Sequence, residues 1–571
     1  MSTAATEDAT AIAYGDWPWA GDAADGPRAA ALQALSAVEV EATSQVEYRS
    51  HGAVLVIGPV ETAWPAALAL PDTMRRVVLA PPGDTPPPDA SDDEGPAFLR
   101  GRLSSLTGHL GAFKALLPGP EGGDVDLAAL YVSPRPVFDL VLDLGERPAF
   151  PVARPPLGYF HPRDRAGLDA ALAELPELVG EFEKPRFFAY DASICAHGRS
   201  GLKGCTRCID ACSTGAIASL GERIEVDPYL CQGDGGCTTV CPSGAIRYAY
   251  PAPRDLLAGI RTMLRAWRGA GGPPPRLLLH DLEHGHDELR ARAGELPADV
   301  LPVQLEEVTA GGLDVWLAAI AMGALSVGVY LPARARGHER QTLDLQLETA
   351  RRLLSGLGLD PSAVTCIDAQ TLAGWARSQV RPVPGEPAAF QTHNDKRATI
   401  RLAMDSLVAR GTPSASPVPL PARAPFGDVR VDAGACTLCM GCVSVCPSHA
   451  LGDGGEMPQL NFTEDLCLQC GLCEQACPES AITLEARYTF DLAGRRAPRV
   501  LHDEAPLACV ECGTPFATGS VIEKMLSRLQ GHALWSDEAA QRRLRMCGDC
   551  RVKDVMRADI ARFRDNDRGA A

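Results

Sequence analysis

Two cysteine runs set the limits on this chain before any other feature. Cys436-x2-Cys439-x2-Cys442-x3-Cys446-Pro447 is followed by Cys467-x2-Cys470-x2-Cys473-x3-Cys477-Pro478, the same spacing written twice. Two residues between thiols let a tight loop wrap three corners of one inorganic cluster, and the proline after each fourth cysteine turns the chain away. Paired zinc sites or disulfides would need neither the repeated fourth cysteine nor the proline. The spacing is that of iron–sulfur ligands.

This pair of runs resembles the bacterial two-cluster ferredoxin. In that family the first three cysteines of each run and the last cysteine of the other run hold one 4Fe–4S cube. The resemblance implies one cube on Cys436, Cys439, Cys442 and Cys477, and a neighbour on Cys467, Cys470, Cys473 and Cys446.

An earlier block repeats the plan with two departures. Its first run reads Cys195-x9-Cys205-x2-Cys208-x3-Cys212, longer by seven residues between the first two cysteines. Its second reads Cys231-x2-Asp234-x2-Cys237-x3-Cys241-Pro242, with an aspartate where the pattern wants a cysteine. The residues after each fourth cysteine also repeat: Cys212-Ser-Thr-Gly-Ala-Ile, Cys241-Pro-Ser-Gly-Ala-Ile, Cys446-Pro-Ser-His-Ala-Leu and Cys477-Pro-Glu-Ser-Ala-Ile. Repetition at this spacing marks a duplicated module. A small Ala and a branched aliphatic would pack against the cluster at the start of a short helix. By the same pairing, one cube takes Cys195, Cys205, Cys208 and Cys241. The longer loop, residues 196–204, carries Gly198, Gly201 and Gly204 and can bow outward without moving Cys195; His197 is an alternative ligand there. The other site has Cys212, Cys231, Cys237 and Asp234. Carboxylate is a harder ligand than thiolate and holds cluster iron less well. Asp234 completes a cube with one labile iron, or leaves a 3Fe–4S cluster, or stands solvated beside an empty site.

Four cysteines gather near the C-terminus as Cys509-x2-Cys512-Gly513 and Cys547-x2-Cys550. Two such knuckles suit a tetrahedral thiolate site, and Cys-x-x-Cys-Gly resembles a zinc-ribbon or rubredoxin knuckle. Structural zinc is the expectation here, with a mononuclear iron or a further cluster, or no metal, as the alternatives. Cys366, the last of the twenty cysteines, reads as a buried strand residue.

Composition narrows the rest. At 571 residues the chain is too long for one core, and 46% hydrophobic residues are ample for several. Met1 to Thr10 has no basic stretch, apolar stretch or twin arginine of an export signal. Cysteines in metal-ligand spacings fit a reducing cytoplasm better than a disulfide scaffold. The most apolar window, Val315 to Leu331, is at the short edge of a membrane span; Gly323 and Gly328 break it into a helix and a strand, so no span is expected. The net charge of −18 argues against nucleic acid, which needs clustered Lys and Arg. It suits a carrier that docks on basic partners, or simply aids solubility.

The fold class expected is α/β and α+β multidomain. Residues 1–185 read as an α/β region, with strands at Ala53–Ile57, Arg76–Ala80 and Val137–Leu142, helices at Thr62–Leu70 and Leu168–Phe182, and a solvated loop at Pro81–Pro96. Residues 186–252 form the first, divergent two-cluster ferredoxin-like module. In residues 253–410 strands at Leu277–His280, Val300–Leu305, Leu325–Tyr330 and Val364–Asp368 alternate with helices. That predicts a doubly wound parallel sheet resembling the flavodoxin-like subunit of some hydrogenase and disulfide-reductase assemblies. Residues 411–428 are a Pro-rich linker, 429–490 the second module, and 491–571 the zinc-ribbon-like knuckle pair with a C-terminal helix. Neither α/β region carries the glycine fingerprint of a dinucleotide site.

The leading functional expectation is a cytosolic polyferredoxin relaying electrons between a donor and an acceptor protein. A divergent block, a complete block and a terminal Cys-x-x-Cys-Gly pair resemble multi-cluster proteins that accompany bacterial formate dehydrogenases. The alternatives are an assembly or maturation scaffold for such an oxidoreductase, and a flavin-containing subunit. Residues 436–480 hold six acidic and no basic residues, whereas residues 195–246 hold five acidic and four basic ones. Anions near a cluster disfavour its reduction, so the second block is expected at lower potential, admitting low-potential electrons.

Overall fold

A computed structural model describes Trp17 and residues 26–569, except 89, 91–94, 120, 121, 133, 283, 334, 336, 456, 530, 531 and 533–536, and gives residues 561–569 as backbone alone. The reading of Met1 to Thr10, and part of the loop Pro81–Pro96, lie outside the described residues. Among the described residues the chain is mixed α/β, with helices and strands of several separate sheets alternating along it.

The first sheet is parallel. Its five strands run in the order Ala97–Arg100, Arg75–Ala80, Ala53–Ile57, Leu140–Asp143, Tyr159–Phe160. Ala53–Ile57 is apolar throughout because both faces are covered, by two distinct apolar clusters. One expected helix differs. Residues 168–182 give a helix only to Glu174 and a 3-10 turn at Leu175–Leu178; Gly180–Pro185 is a strand, paired antiparallel with Gln45–Ser50. Gly180 has a positive φ that helical continuation forbids, and Pro185 limits it further.

The second parallel sheet has the order Val300–Leu305, Arg276–Asp281, Ser326–Tyr330, Val364–Ile367. Leu277, Leu279, Leu301, Val303, Val327 and Val329 face the helices Pro253–Gly269, Leu313–Ala321, Gly337–Gly356 and Lys396–Arg410. Leu278, Val300, Tyr330 and Ile367 face the opposite layer with Leu289, Leu372 and Trp375. Gly328 has no side chain because a Cβ there would lie 2.7 Å from the Trp375 ring. The helix Pro27–Ser36 packs on Pro253–Gly269, so Ala31 and Leu35 belong to this core and not to that of the first sheet, with which residues 1–185 were grouped. The apolar window at 315–331 becomes the fully buried helix Leu313–Ala321 and the strand Ser326–Tyr330. Among the described residues no helix is long and apolar enough to cross a membrane.

Both cysteine blocks fold with the same order of elements. The first runs strand Phe188–Tyr190, helix Arg207–Asp210, hairpin Ile217–Leu220/Arg223–Val226, helix Gly236–Val240 and strand Ile246–Tyr248, which closes on Phe188–Tyr190. The second runs Gly427–Val431, Gly441–Ser444, Leu451–Gly454/Met457–Phe462, Leu472–Ala476 and Ile482–Tyr488, which closes on Gly427–Val431. The repeated Ala-aliphatic pair therefore opens a strand and not the helix expected from its sequence. All eight side chains (Ala216, Ile217, Ala245, Ile246, Ala450, Leu451, Ala481, Ile482) are buried.

Candidate metal centres

Two sets of thiols line common cavities. Cys195, Cys205 and Cys208 line one cavity of about 20 Å³ with Cys241 from the other run. Cys436, Cys439 and Cys442 line another of about 20 Å³ with Cys477. None of them is joined in a disulfide. Of the remaining second-block cysteines, Cys467, Cys473 and Cys446 lie in the apolar cluster of the whole block, which also holds Cys436, Cys442 and Cys477. Cys470 joins them electrostatically, its thiol pushed up to about 12 by burial and by the charges of Cys467 and Cys446. Burial likewise raises Cys442 to about 12, with Cys436 and Cys439 adding to the rise. A buried thiolate is costly unless a cation meets it. Four such thiols around one small cavity are a donor set that fits cluster iron.

The loops that carry these thiols have a regular backbone. Leu438 and Met440, on either side of Cys439, have φ of 54° and 59°; Gln469 and Gly471, on either side of Cys470, have 52° and 85°. Alternation with left-handed residues turns successive N–H groups to one side, an arrangement suited to a negative centre. The N–H groups of Leu438 and Gln469 accordingly lower the thiols of Cys436 and Cys467 against the rise from burial.

The divergent block keeps this backbone where it lost the cysteine. Gly233 and Gly235 flank Asp234 with φ of 84° and 76°. Asp234 thus occupies the backbone position of a second cysteine, near Cys231, whose thiol burial pushes up and Asp234 raises further. Cys237 rises through burial and then through the nearby charges of Cys231, Cys212, Cys208 and Cys241. The Asp234 carboxylate is itself engaged: Arg154 donates to its Oδ1 and, at 2.8 Å, to Oε1 of Glu307. Arg154 also fixes the site by its backbone, its N–H bonding the carbonyl of Ser213 at 3.0 Å. Arg154 had no signal in the sequence, because it reaches the site from the connection between two strands of the first sheet.

The long loop of the first run bows outward as a small hairpin, Gly198–Arg199 against Leu202–Lys203, turning at Ser200 and Gly201, both with positive φ. His197 lines the cavity, yet its Nδ1 meets the carbonyl of Cys205 at 2.9 Å and its Nε2 the Ser219 hydroxyl at 2.7 Å. Both ring nitrogens hold the loop in place.

Buried and half-buried cations reach the thiol loops from other parts of the chain, and these too were invisible along the sequence. Lys184 bonds the carbonyls of Tyr229 and Cys231, at 3.1 and 2.6 Å, and burial lowers it to about 8. Lys396 bonds Thr238 and Thr239, and Arg397 bonds Pro425, Asp465 and Cys467, all through backbone carbonyls. Three of the six acids in residues 436–480 are also matched from outside. Glu464 pairs with Arg487, Asp465 with Arg401 and Arg495, and Glu479 with Lys524 and Arg528. Partners outside the window therefore offset part of the acidic surplus counted along it.

At the C-terminus the hairpin Pro506–Ala508/Pro515–Thr518 holds the first knuckle, and the helix Gly548–Gly569 begins at the second. The four Sγ atoms of Cys509, Cys512, Cys547 and Cys550 all lie within 4.8 Å of one another, with Cys512 and Cys547 3.7 Å apart. Metal–sulfur bonds of about 2.3 Å in a tetrahedron require sulfurs about 3.8 Å apart, so the tetrad fits one ion; a cube would spread its thiolates over four metals. Burial raises Cys509, but N–H groups of Cys512, Cys547 and Glu511 outweigh it and bring the thiol down to about 6. Cys366 lies apart from every tetrad, on the strand Val364–Ile367.

The comparisons agree with the second block. A family described as a 4Fe-4S dicluster domain matches residues 435–482. The ferredoxin-type protein NapF of Escherichia coli K12 is 38% identical over 58 residues, 10% of this chain and 35% of NapF. The pyruvate synthase subunit PorD of Thermotoga maritima is 39% identical over 56 residues, 10% of this chain and 54% of PorD. The chain thus spans about a third to a half of the length of these curated relatives. It carries a ferredoxin-type 4Fe–4S domain at residues 435–482, within a larger iron–sulfur protein.

Proposed function

We propose that this chain is a relay between redox proteins, with four iron–sulfur sites and one structural zinc. The observation that carries the reading is the convergence of each thiol set across its own block, Cys195, Cys205 and Cys208 with Cys241, and Cys436, Cys439 and Cys442 with Cys477. When bound there, a 4Fe–4S cluster supplies one-electron chemistry without bond making. The chain's own residues hold it: the thiols anchor it, the left-handed loops aim N–H groups at it, and Ala245, Ile246 and Ile482 keep water from it.

The second site of each block takes Cys446, Cys467, Cys470 and Cys473 in one case, and Cys212, Cys231 and Cys237 in the other. At the latter, Arg154 occupies the carboxylate of Asp234, which favours a 3Fe–4S cluster over an Asp-ligated cube. The four knuckle cysteines take zinc. The two blocks are duplicates within a cytosolic protein, and the two parallel sheets are its scaffold. A formate dehydrogenase is the first partner to try, on the strength of overall layout alone.

Anaerobic stopped-flow mixing with a candidate partner tests the reading. Reduced protein should pass its electrons on within the turnover time of that partner. Clusters that load fully yet exchange no electrons with any of several low-potential partners would point instead to an assembly scaffold.

A further inference from the structure

The two blocks meet edge to edge. Cys205 of the first and Cys470 of the second line a single cleft of about 560 Å³, together with Arg207, Gln469 and Glu474. Contact is close because Gly204 has no side chain; a Cβ there would stand 2.6 Å from Cγ of Leu472, which lies between Cys470 and Cys473. Arg207 sits between Cys205 and Cys208 in sequence and crosses the seam, donating from Nη2 to the Gln469 carbonyl at 2.9 Å. It is only 7% exposed. Among the described residues it has no carboxylate partner within salt-bridge distance. Of the two acids that line the cleft, Asp210 pairs with Arg423 at 2.7 Å, and Glu474 accepts the Leu484 N–H at 3.0 Å.

A buried guanidinium with only a carbonyl for company is costly unless negative charge lies nearby. Thiols stand on both sides of this one, Cys205 from the first block and Cys470 from the second, with the Arg423 guanidinium lining the same cleft. We propose that Arg207 is the positioning residue of the junction between the two blocks, joining their four sites into one conduit and raising the reduction potentials of the two sites that flank it. The inference rests on the electron-transfer reading above. Its physical basis is that a fixed positive charge favours the more negative, reduced state of a neighbouring cluster.

The test is an anaerobic redox titration of the full-length, iron-loaded protein, followed by electron paramagnetic resonance. The flanking signals are identified by their loss in Cys205→Ser and Cys470→Ser. Arg207→Gln keeps a hydrogen-bond donor for Gln469 and removes the charge, and Arg207→Lys keeps the charge. The two flanking signals should move to lower potential in Arg207→Gln, the two outer signals should stay in place, and Arg207→Lys should restore the parent values. Arg207→Met replaces the Gln variant should that one not hold its iron. An unchanged titration, or a shift that Lys does not reverse, overturns the role of Arg207 alone. A parent protein without redox-active iron overturns the electron-transfer reading beneath it.

Discussion

One guanidinium, that of Arg154, ties Asp234 to Glu307, so the corner of the divergent site that lacks a cysteine is pinned to the edge of the second parallel sheet. A carboxylate held this way has a partner already and competes poorly for iron. Asp234→Cys should raise the iron content from about fifteen to about sixteen atoms per chain and convert a 3Fe–4S resonance into a 4Fe–4S one. Arg154 keeps Glu307 in that variant, so the fold should hold. Identical iron content and spectra in parent and variant would remove Asp234 from the site.

At the knuckles, Cys512→Ser should release about one equivalent of zinc and no iron. The C-terminal helix would then become more sensitive to protease, with visible absorbance nearly unchanged. Metal analysis by mass spectrometry decides it. Loss of about four irons would instead identify a fifth cluster.

The seam between the blocks gives a third test. Gly204→Ala would press a methyl group on Leu472 and, 2.8 Å away, on the backbone carbonyl of Ala196. Leu472 is buried and the carbonyl cannot give way, so the variant should lose about 1–3 kcal/mol of stability. Gly441→Ala is the control, since its nearest neighbour stands at 3.4 Å. Equal denaturation midpoints for the two variants would mean that the seam is looser than drawn.

His280 makes stability depend on pH. It is fully buried beside Trp17 and His286, and burial lowers its pKa from 6.5 to about 4. Between those values the unfolded chain takes up a proton that the folded chain refuses. Stability should therefore fall as acid is added from about pH 6.5 to about pH 4, by roughly 3 kcal/mol in all. His280→Leu should flatten that part of the profile, measured by denaturant unfolding at several pH values. A slope as steep in the variant as in the parent would assign the effect to other groups.

The thiol runs were legible in the sequence because their spacing is local: a thiol two residues from the next has few ways to avoid sharing a metal site, whereas the fourth cysteine of each set was implied by the ferredoxin resemblance. The strand at Ala53–Ile57 and the helix at Leu313–Ala321 were legible for a similar local reason, their apolar runs. Other features depend on distant partners. Residues 180–182 were read as the end of a helix and instead open the strand Gly180–Pro185, which pairs with Gln45–Ser50. Arg154, Lys184 and Arg397 lie far along the chain from the thiols they attend, so no window of sequence around a cysteine contains them. For the same reason a charge count within residues 436–480 misses Arg401, Arg495 and Lys524, each paired with an acid inside that window.

Each cavity closed by a cysteine of the opposite run also imposes an order in time. As the ribosome extends the chain, Cys195, Cys205 and Cys208 emerge well before Cys241, and a cluster delivered early would find its fourth corner missing. At about 5–20 residues per second, the first block would be complete roughly 10–50 s before Cys477 closes the second. Iron delivery to this protein is thus expected in two bursts, the earlier on a nascent chain still attached to its ribosome. Iron measured on chains stalled before and after Cys241 has emerged would show whether the first burst waits for it.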